Sequence, residues 1–192
     1  PCYFHNLSKY DSHMFITATK KYHGDIKTIA ENLETYISFQ IGCVTFKDSL
    51  RILGASLDTL TRNLVEINAA HFKCLIKHFG VDNASILTRK GVFPYSYLTS
   101  ESVLRENQLP AKEHFYDKLK NQHIEDSDYK WALTVFSLFN LKSIGEYLEL
   151  YNMTDCLLLA DIFVYMRNLC FEQSGLDIAH FMTIASYSWA AC

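Results

Sequence analysis

The chain opens with Cys2-Tyr3-Phe4-His5-Asn6-Leu7-Ser8-Lys9-Tyr10-Asp11, a stretch that turns from apolar to polar within a few residues. Its apolar beginning predicts a short strand, and the polar residues from Asn6 to Lys9 predict a turn. A helix is then predicted from Tyr10 to Lys21, ending before Gly24. A strand that feeds a helix through a short turn is typical of an α/β fold, which is the fold class we expect.

Further sheet is predicted downstream of this opening. The segments Tyr36–Phe39 and Cys43–Lys47 are rich in aromatic and β-branched residues, and the short link Gln40-Ile41-Gly42 between them predicts a β-hairpin. The segment Val81–Thr88 predicts another strand. A Gly/Pro-containing loop is expected over Lys90–Tyr95.

The C-terminal half is predicted to be rich in helix. Ser56 is a candidate N-cap for one helix that keeps its apolar spacing until Gly80. Residues 98–142 predict two or three short helices, interrupted at Pro110, that form an insertion. The sequence Ser143-Ile144-Gly145-Glu146 has the form of a capping box and predicts a long helix that ends near Phe171.

Composition limits the functional classes. The 192 residues are 49% hydrophobic and 20% charged, which fits one packed domain, or one domain plus a fragment. A net charge of −3 argues against a broad basic face for duplex DNA, although an enzyme that grips one strand end needs few basic contacts. No run of about 18 apolar residues is present, so no membrane partner is expected. The first residue is Pro1 rather than Met, which suggests a fragment.

The six cysteines are scattered and include no CxxC pair. Such cysteines are typical of reduced thiols, so we expect an intracellular protein without disulfides or a cysteine metal site. Composition does not distinguish among the nucleus, an organelle and a virus-associated location.

Two acidic residues are candidates for chemistry. Tyr151 and Asp155 are four residues apart, which places a phenol and a carboxylate on one face of the long helix. A carboxylate on a buried face is costly unless it is neutralised, hydrogen-bonded or metal-bound, but an Asp that reaches solvent near Asn152-Met153-Thr154 is an alternative. Asp11 begins a helix, where an Asp is commonly only an N-cap.

Four motifs resemble those of a known family. The segment Phe4–Asp11 resembles the second exonuclease motif of family B DNA polymerases, in the variant of the protein-primed enzymes of viruses, organellar plasmids and mobile elements. Tyr151-Asn152-Met153-Thr154-Asp155 resembles the third motif, Tyr-x-x-x-Asp. Between them, Phe46–Leu53 resembles the Ser/Thr-Leu-x-x-hydrophobic motif, and Lys90-Gly91-Val92-Phe93 resembles the Lys-x-x-hydrophobic motif.

The resemblance implies an RNase H-like exonuclease domain over residues 1–175, partial because its first strands are missing. Residues 176–192 would then begin the connection toward the polymerase module. The implied activity is 3′→5′ proofreading on the 3′ end of single-stranded DNA. Two divalent ions, Mg²⁺ or Mn²⁺, serve this chemistry by activating water and stabilising the leaving oxygen.

The resemblance also assigns roles to residues. Asp11 and Asp155 would each hold one ion, with their carboxyl groups within about 8 Å of each other. Tyr151 would orient the attacking water and Lys90 would neutralise charge on the phosphate. The implied DNA-binding residues, two of which also face a terminal protein primer in the family, are His5, Asn6, Tyr10, Ser49, Leu50 and Tyr95.

One departure from the family pattern affects activity. The first motif, Asp-x-Glu, does not stand before Asn6, and Asp126-Ser127-Asp128 lies in the wrong order to replace it. The palm carboxylates of the polymerase are also absent, so we expect these 192 residues alone to be inactive. The alternatives are an inactive remnant that binds single-stranded DNA or a protein, and an unrelated helical interaction protein in which His71 and His78, two turns apart on one helix, bind a metal.

Overall fold

The computed structural model describes the chain except residues 9–10, 19–23, 33–34 and 119–120, and it does not describe the side chains of residues 11, 13, 16 and 18. Two compact units are present. The first comprises Pro1–Leu60 with Leu159–Cys192, and the second comprises Thr61–Leu158.

The first unit contains a four-stranded mixed sheet. Its strands are β1 Cys2–Phe4, β2 Ile26–Ala30, β3 Tyr36–Ile41 and β4 Val44–Asp48. They are arranged in the order β1-β4-β3-β2, with β1 parallel to β4 and the other pairs antiparallel. The parallel register sets Phe4 opposite Asp48, so the ends of β1 and β4 meet at one edge of the sheet.

The predicted hairpin is confirmed as β3 and β4. Gly42 has a φ of 57°, a left-handed value that suits the tight turn between them. The rings of Phe39 and Phe46 stack across the pair with centroids 4.7 Å apart. Strand β2 was not predicted, and all five of its residues are exposed, so it lacks the buried alternation by which a strand is recognised.

The first unit also contains helical segments, and the opening strand-turn-helix prediction is confirmed in type. They are α1 Asp11–Ala18, α2 Leu50–Leu53, the C-terminal part of α7 Ile144–Ser174, a 3₁₀ turn Ile178–His180 and α8 Ile184–Ala191. The core of this unit contains Ile52, Phe163, Cys170, Ile178 and Tyr187. Residues after 176 therefore contribute to the same core as the helices near the sheet.

The regular elements described in the second unit are helices, apart from an isolated bridge between Asp117 and Gln122. Its α-helices are most of α3 Leu57–Asn68, then α4 Lys73–Phe79, α5 Val81–Leu87, α6 Asp126–Leu138 and the N-terminal part of α7. Three 3₁₀ segments, Ala69–His71, Glu101–Arg105 and Lys112–Phe115, join them. The short helices predicted for residues 98–142 are thus confirmed.

Two predicted elements are wrong. The single helix from Ser56 to Gly80 is interrupted after Asn68, whose side chain accepts a hydrogen bond from the N–H of Ala70 at 2.9 Å and caps a new turn. The predicted strand Val81–Thr88 is instead helix α5. Gly80, at a φ of 80°, separates α4 from α5, and a glycine with left-handed φ ends one helix without ending helical structure beyond it.

The long helix was predicted well. The Ser143 hydroxyl accepts a hydrogen bond from the Glu146 N–H at 3.2 Å, as expected for an N-cap. The Glu146 carboxylate accepts from the N–H of Lys142 at 2.7 Å, one residue earlier than in the standard capping box. The α/β class is confirmed, and the RNase H-like topology stays a prediction. None of the described helices is both long and apolar enough to cross a membrane.

Candidate functional site

The turn after β1 holds a residue in an unusual backbone conformation. Asn6 has a φ of 71°, in the left-handed region that Asn tolerates better than most side chains. Its side chain is exposed. The side-chain amide of Asn6 is therefore exposed to solvent. The left-handed backbone conformation that places it there has to be stabilised by other residues of the unit.

That support comes from Asp48 at the end of β4. Its Oδ1 accepts hydrogen bonds from the N–H of Asn6 at 2.9 Å and of Leu50 at 3.0 Å. Its Oδ2 accepts from the N–H and the hydroxyl of Ser8 at 3.1 and 2.7 Å. Asp48 is 2% exposed, so these four bonds replace the water it has lost. One buried carboxylate thus fixes the turn that carries Asn6.

Ser49 joins the same two segments. Its N–H and its hydroxyl both donate to the carbonyl of Phe4, at 2.7 and 2.9 Å, and its Oγ lies 3.1 Å from Nδ1 of His5. Ser49 is fully buried and Leu50 is partly buried. In this structure Ser49 orients His5 from inside the protein, and a direct contact of Ser49 or Leu50 with DNA stays a prediction.

Tyr151 lies one turn before Asp155 on α7 and is surrounded by aromatic rings of the Lys90–Tyr95 loop. Its ring centroid is 5.8 Å from that of Phe93 and 6.1 Å from that of Tyr95. A Cβ added to Gly91 would lie 3.0 Å from Cδ2 of Tyr151. The loop therefore approaches Tyr151 so closely that only glycine fits at position 91 without displacement.

Further contacts anchor this loop to the helices. The Tyr147 hydroxyl donates to the carbonyl of Val92 at 2.7 Å, and the rings of Tyr147 and Phe93 stack at 6.0 Å. Since Tyr147 precedes Tyr151 by one turn, α7 holds the loop at two successive levels. The Lys90 motif and the Tyr-x-x-x-Asp motif are therefore brought together in the second unit.

Asp155 is incompletely paired. Its Oδ1 is buried and accepts no hydrogen bond from any described residue. Burial raises the pKa of Asp155, while the Lys90 ammonium and an interaction with the Tyr151 phenol act to lower it. Burial, together with the nearby Asp155 charge, raises the pKa of Tyr151 well above its usual range. At neutral pH the site thus contains a protonated phenol next to a carboxyl group with a vacant acceptor.

A carboxylate oxygen without a donor fits a ligand that supplies positive charge, including a hard divalent cation. Asp155 meets that condition, but among the described side chains no three His, Cys, Asp or Glu residues converge as a metal site would require. Tyr10, and the side chain of Asp11, lie outside the described residues. The site in the second unit accordingly supplies one fitting ligand.

Other candidate ligands are engaged or separated. Asp126 pairs with Lys112 at 2.5 Å, and Asp128 pairs with Arg89. The hypothesis of a histidine pair on one helix is wrong, because His71 ends a 3₁₀ segment whereas His78 lies on α4. The interruption after Asn68 changes the helical spacing that would have aligned them.

A cavity of about 610 Å³ lies beside Tyr151 within the second unit. One side is formed by the loop that contains Lys90, Phe93 and Tyr95, and another side by residues 115–118 and 122–125 together with Asp128. The predicted site residues therefore fall into two groups. The first unit holds His5, Asn6, Ser49 and Leu50, and the second holds Lys90, Tyr95, Tyr151 and Asp155.

Sequence reasoning missed two residues that shape these groups. Asp48 lies within the Ser/Thr-Leu-x-x-hydrophobic motif, which assigns it no role, although a carboxylate after a predicted strand is typical of a hydrogen-bonded turn. The sequence predicts only that Gly91 lies in a loop, and no sequence signal reveals that Tyr151 lies against it.

Comparisons with known proteins agree on the origin of the chain. A family model described as DNA polymerase type B, organellar and viral, matches residues 1–191. A curated protein from Ascobolus immersus named "Probable DNA polymerase" is 28% identical over 200 residues, an alignment that covers 98% of this chain and 15% of that protein. No solved structure matches. Because the family model extends over nearly every residue, the chain belongs to the organellar and viral type B DNA polymerases.

Proposed function

We propose that this chain is the 3′→5′ proofreading exonuclease segment of its polymerase and acts on the 3′ end of single-stranded DNA. The observation that carries the proposal is the arrangement around Asp155. A buried carboxylate oxygen without a donor lies one helical turn from a tyrosine and close to a lysine. Buried polar atoms without partners are uncommon in folded proteins and often mark a site that is completed by a ligand.

In this proposal Asp155 and Asp11 hold two divalent ions, Mg²⁺ or Mn²⁺. When bound, such ions activate water for attack on a phosphodiester and stabilise the leaving oxygen. The vacant acceptor of Asp155 is suited to that role because hard cations take carboxylate oxygens as ligands. Asp11 enters the proposal through its motif alone.

The residues around Asp155 have separate tasks. Because its pKa is raised, the Tyr151 phenol keeps its proton at neutral pH and can donate a hydrogen bond that orients a water. Lys90 supplies positive charge where a phosphate would bind, and Gly91 lets this loop pack against the Tyr151 ring. None of these side chains has to move a proton during cleavage.

The first unit would contact the strand. Asn6 presents an exposed amide from a fixed turn, and His5 is oriented by Ser49. We propose that both bind the frayed 3′ end together with Tyr10, whose ring offers a stacking surface. Leu50 and Ser49 belong to the motif that, by resemblance, faces single-stranded DNA and a terminal protein primer, so a protein-primed parent of the viral or mobile-element type is part of the proposal.

The test uses the full-length polymerase that contains this chain and a 5′-labelled single-stranded oligonucleotide with Mn²⁺. We expect stepwise loss of 3′ nucleotides, abolished by Asp155→Asn and slowed about tenfold or more by Tyr151→Phe, on the scale of one lost orienting group. Glu149→Gln removes an exposed carboxylate from the same helix and is expected to leave the rate unchanged.

The isolated chain of 192 residues is a second arm of the same test. Its motifs supply only two metal-binding carboxylates, so we expect no cleavage from it under the same conditions. Full-length protein that binds the oligonucleotide without shortening it would support the inactive, DNA-binding remnant instead. Digestion that persists in Asp155→Asn would show that the ions bind elsewhere.

A further inference from the structure

The cavity beside Tyr151 is built in large part by residues to which the motifs assign no role. The segment made of residues 115–118 and 121–125 belongs to the region between the Lys90 motif and the Tyr151 motif, and it contributes Phe115, Tyr116 and His123 to the lining. We call this segment the insertion wall. Its aromatic residues form one side of a concave surface whose other side includes Phe93 and Tyr95 of the proposed nuclease site.

The insertion wall is held by its own contacts. The backbones of Asp117 and Gln122 exchange two hydrogen bonds, of 2.9 and 3.2 Å, as an isolated antiparallel bridge. This bridge sets the ring of Tyr116 against that of His123, with centroids 4.8 Å apart, and the Tyr116 hydroxyl donates to the side chain of Asn121. The two rings are thus fixed next to each other at the edge of the cavity.

The charges in the cavity argue against a surface for the sugar-phosphate backbone. Lys90 and Lys118 are accompanied in the lining by Asp117, Glu125 and Asp128. Surfaces that bind phosphates carry an excess of Lys and Arg, and this one does not. Apart from the single phosphate contact proposed for Lys90, affinity for a nucleic acid in this cavity must therefore come from the bases.

The aromatic composition suits a base. Tyr95 is 62% exposed and meets the ring of Phe93 edge to face at 5.1 Å, so it presents a ring to the opening. His123 is exposed as well. Bases stack on such rings regardless of their identity, and a cavity of about 610 Å³ is within the size range of sites for small organic ligands.

We infer that this cavity binds one unpaired nucleobase of a single strand, and that Tyr116 and His123 of the insertion wall form its stacking surface. The inference extends the proposed function, on which it rests for the identity of the strand. The role inferred for the 98–142 insertion is to bind a base beside Lys90 and Tyr151 through contacts that do not depend on phosphate charge.

The test measures binding without cleavage, in EDTA, with the 192-residue chain. A labelled oligothymidylate is compared by fluorescence anisotropy with an abasic sugar-phosphate strand of the same length. We expect tighter binding of the strand that has bases. His123→Ala and Tyr116→Ala should each weaken it about fivefold or more, the range for losing one stacked base, and should reduce the preference over the abasic strand.

Matched variants separate stacking from folding. His114→Ala removes another exposed histidine, whose ring lies 4.7 Å from that of Tyr97 outside the cavity lining, and it should bind as the wild type does. His123→Phe keeps a ring at the site and should also retain binding. Tyr116→Phe tests whether the hydroxyl contact with Asn121 is needed for the ring to act.

Two sources of the base are distinguished by 2-aminopurine. If the protein quenches the fluorescence of 2-aminopurine within an oligonucleotide but not that of the free nucleotide, the cavity binds a base of a strand. If it quenches the free nucleotide at a similar concentration, the cavity binds a mononucleotide, and the inference of a strand is wrong. Equal binding of the abasic strand, or equal affinity of His123→Ala and His114→Ala, overturns the inference. Because no metal is present, these results are independent of whether the full-length protein cleaves DNA.

Discussion

Asp48 and Asp155 are both carboxylates withdrawn from solvent, yet their surroundings differ. Asp48 accepts four hydrogen bonds, three from backbone N–H groups and one from a hydroxyl. Asp155 keeps one buried oxygen without any donor among the described residues, and burial raises its pKa. The hydrogen bonds of the Asp48 carboxylate are all made within the fold, whereas the Asp155 carboxylate keeps an acceptor oxygen that a ligand could use.

Whether the acceptor oxygens of a buried carboxylate are occupied distinguishes a structural from a functional acidic residue better than its burial does. A carboxylate whose acceptor sites are filled by its own chain stabilises a local conformation and has little left for a ligand. One that is buried with a vacant acceptor destabilises the free protein and becomes favourable when a cation or donor arrives. On this criterion Asp48 positions the Asn6 turn, and Asp155 fits the binding role that we propose for it.

The largest effect is expected from Asp48→Ala. The substitution leaves the N–H groups of Asn6, Ser8 and Leu50 without their acceptor in a buried place, and each such loss costs about 1–3 kcal/mol. We expect the free energy of unfolding to fall by about 3 kcal/mol or more. Urea denaturation of the 192-residue chain, followed by circular dichroism, measures this change.

Asp48→Asn is the matched control, because it keeps the shape and one acceptor oxygen but turns an NH₂ group toward the donors on the other side. It should destabilise the protein less than Asp48→Ala does. A loss below about 1 kcal/mol for the alanine variant would mean that water replaces the four hydrogen bonds, and Asp48 would then resemble an ordinary surface carboxylate.

A medium effect is expected at Asn6, where the Asp48 network maintains a φ of 71°. Asn6→Ala should cost about 1 kcal/mol because Ala lacks the short polar side chain with which Asn tolerates the left-handed region, while Asn6→Gly should be close to neutral. Thermal unfolding of the two variants measures the difference.

The same pair of variants tests the proposed DNA contact of Asn6. Both lose the exposed amide, so a contact with DNA predicts that Asn6→Gly binds an oligonucleotide more weakly although its stability is unchanged. Equal binding by the wild type and Asn6→Gly would limit Asn6 to a role in the turn.

Local signals explain which parts of the fold could be predicted from the sequence. Strand β1, the hairpin β3–β4 and the long helix α7 each carry their pattern and their ends within a few residues. The interruption after Asn68 could not be seen, since Phe72 and Leu75 are both fully buried and continue the apolar spacing across it. Strand β2 is exposed along its length and depends on pairing with β3.

The candidate site divides in the same way. The spacing of Tyr151 and Asp155 predicted one helical face, and the helix is confirmed. The role of Asp48 depends on hydrogen bonds to residues about 40 positions earlier, and the closeness of Gly91 to Tyr151 depends on packing across 60 residues. Such contacts are set by the tertiary structure, and no local pattern encodes them.

The smallest effect on stability is expected from Asp155→Asn, and its dependence on pH is what makes it diagnostic. Because burial raises the folded-state pKa of Asp155, its ionised form destabilises the folded protein above that pKa, and the penalty disappears as pH falls toward the unfolded value of 3.8. At pH 7 the variant should therefore be at least as stable as the wild type. As the pH of urea denaturation is lowered from 7 to 4, the free energy of unfolding of the wild type should rise relative to that of the variant. Glu149→Gln, on an exposed position of α7, gives the background. A variant that is less stable at pH 7 than at pH 4, relative to the wild type, would show that Asp155 is satisfied as Asp48 is.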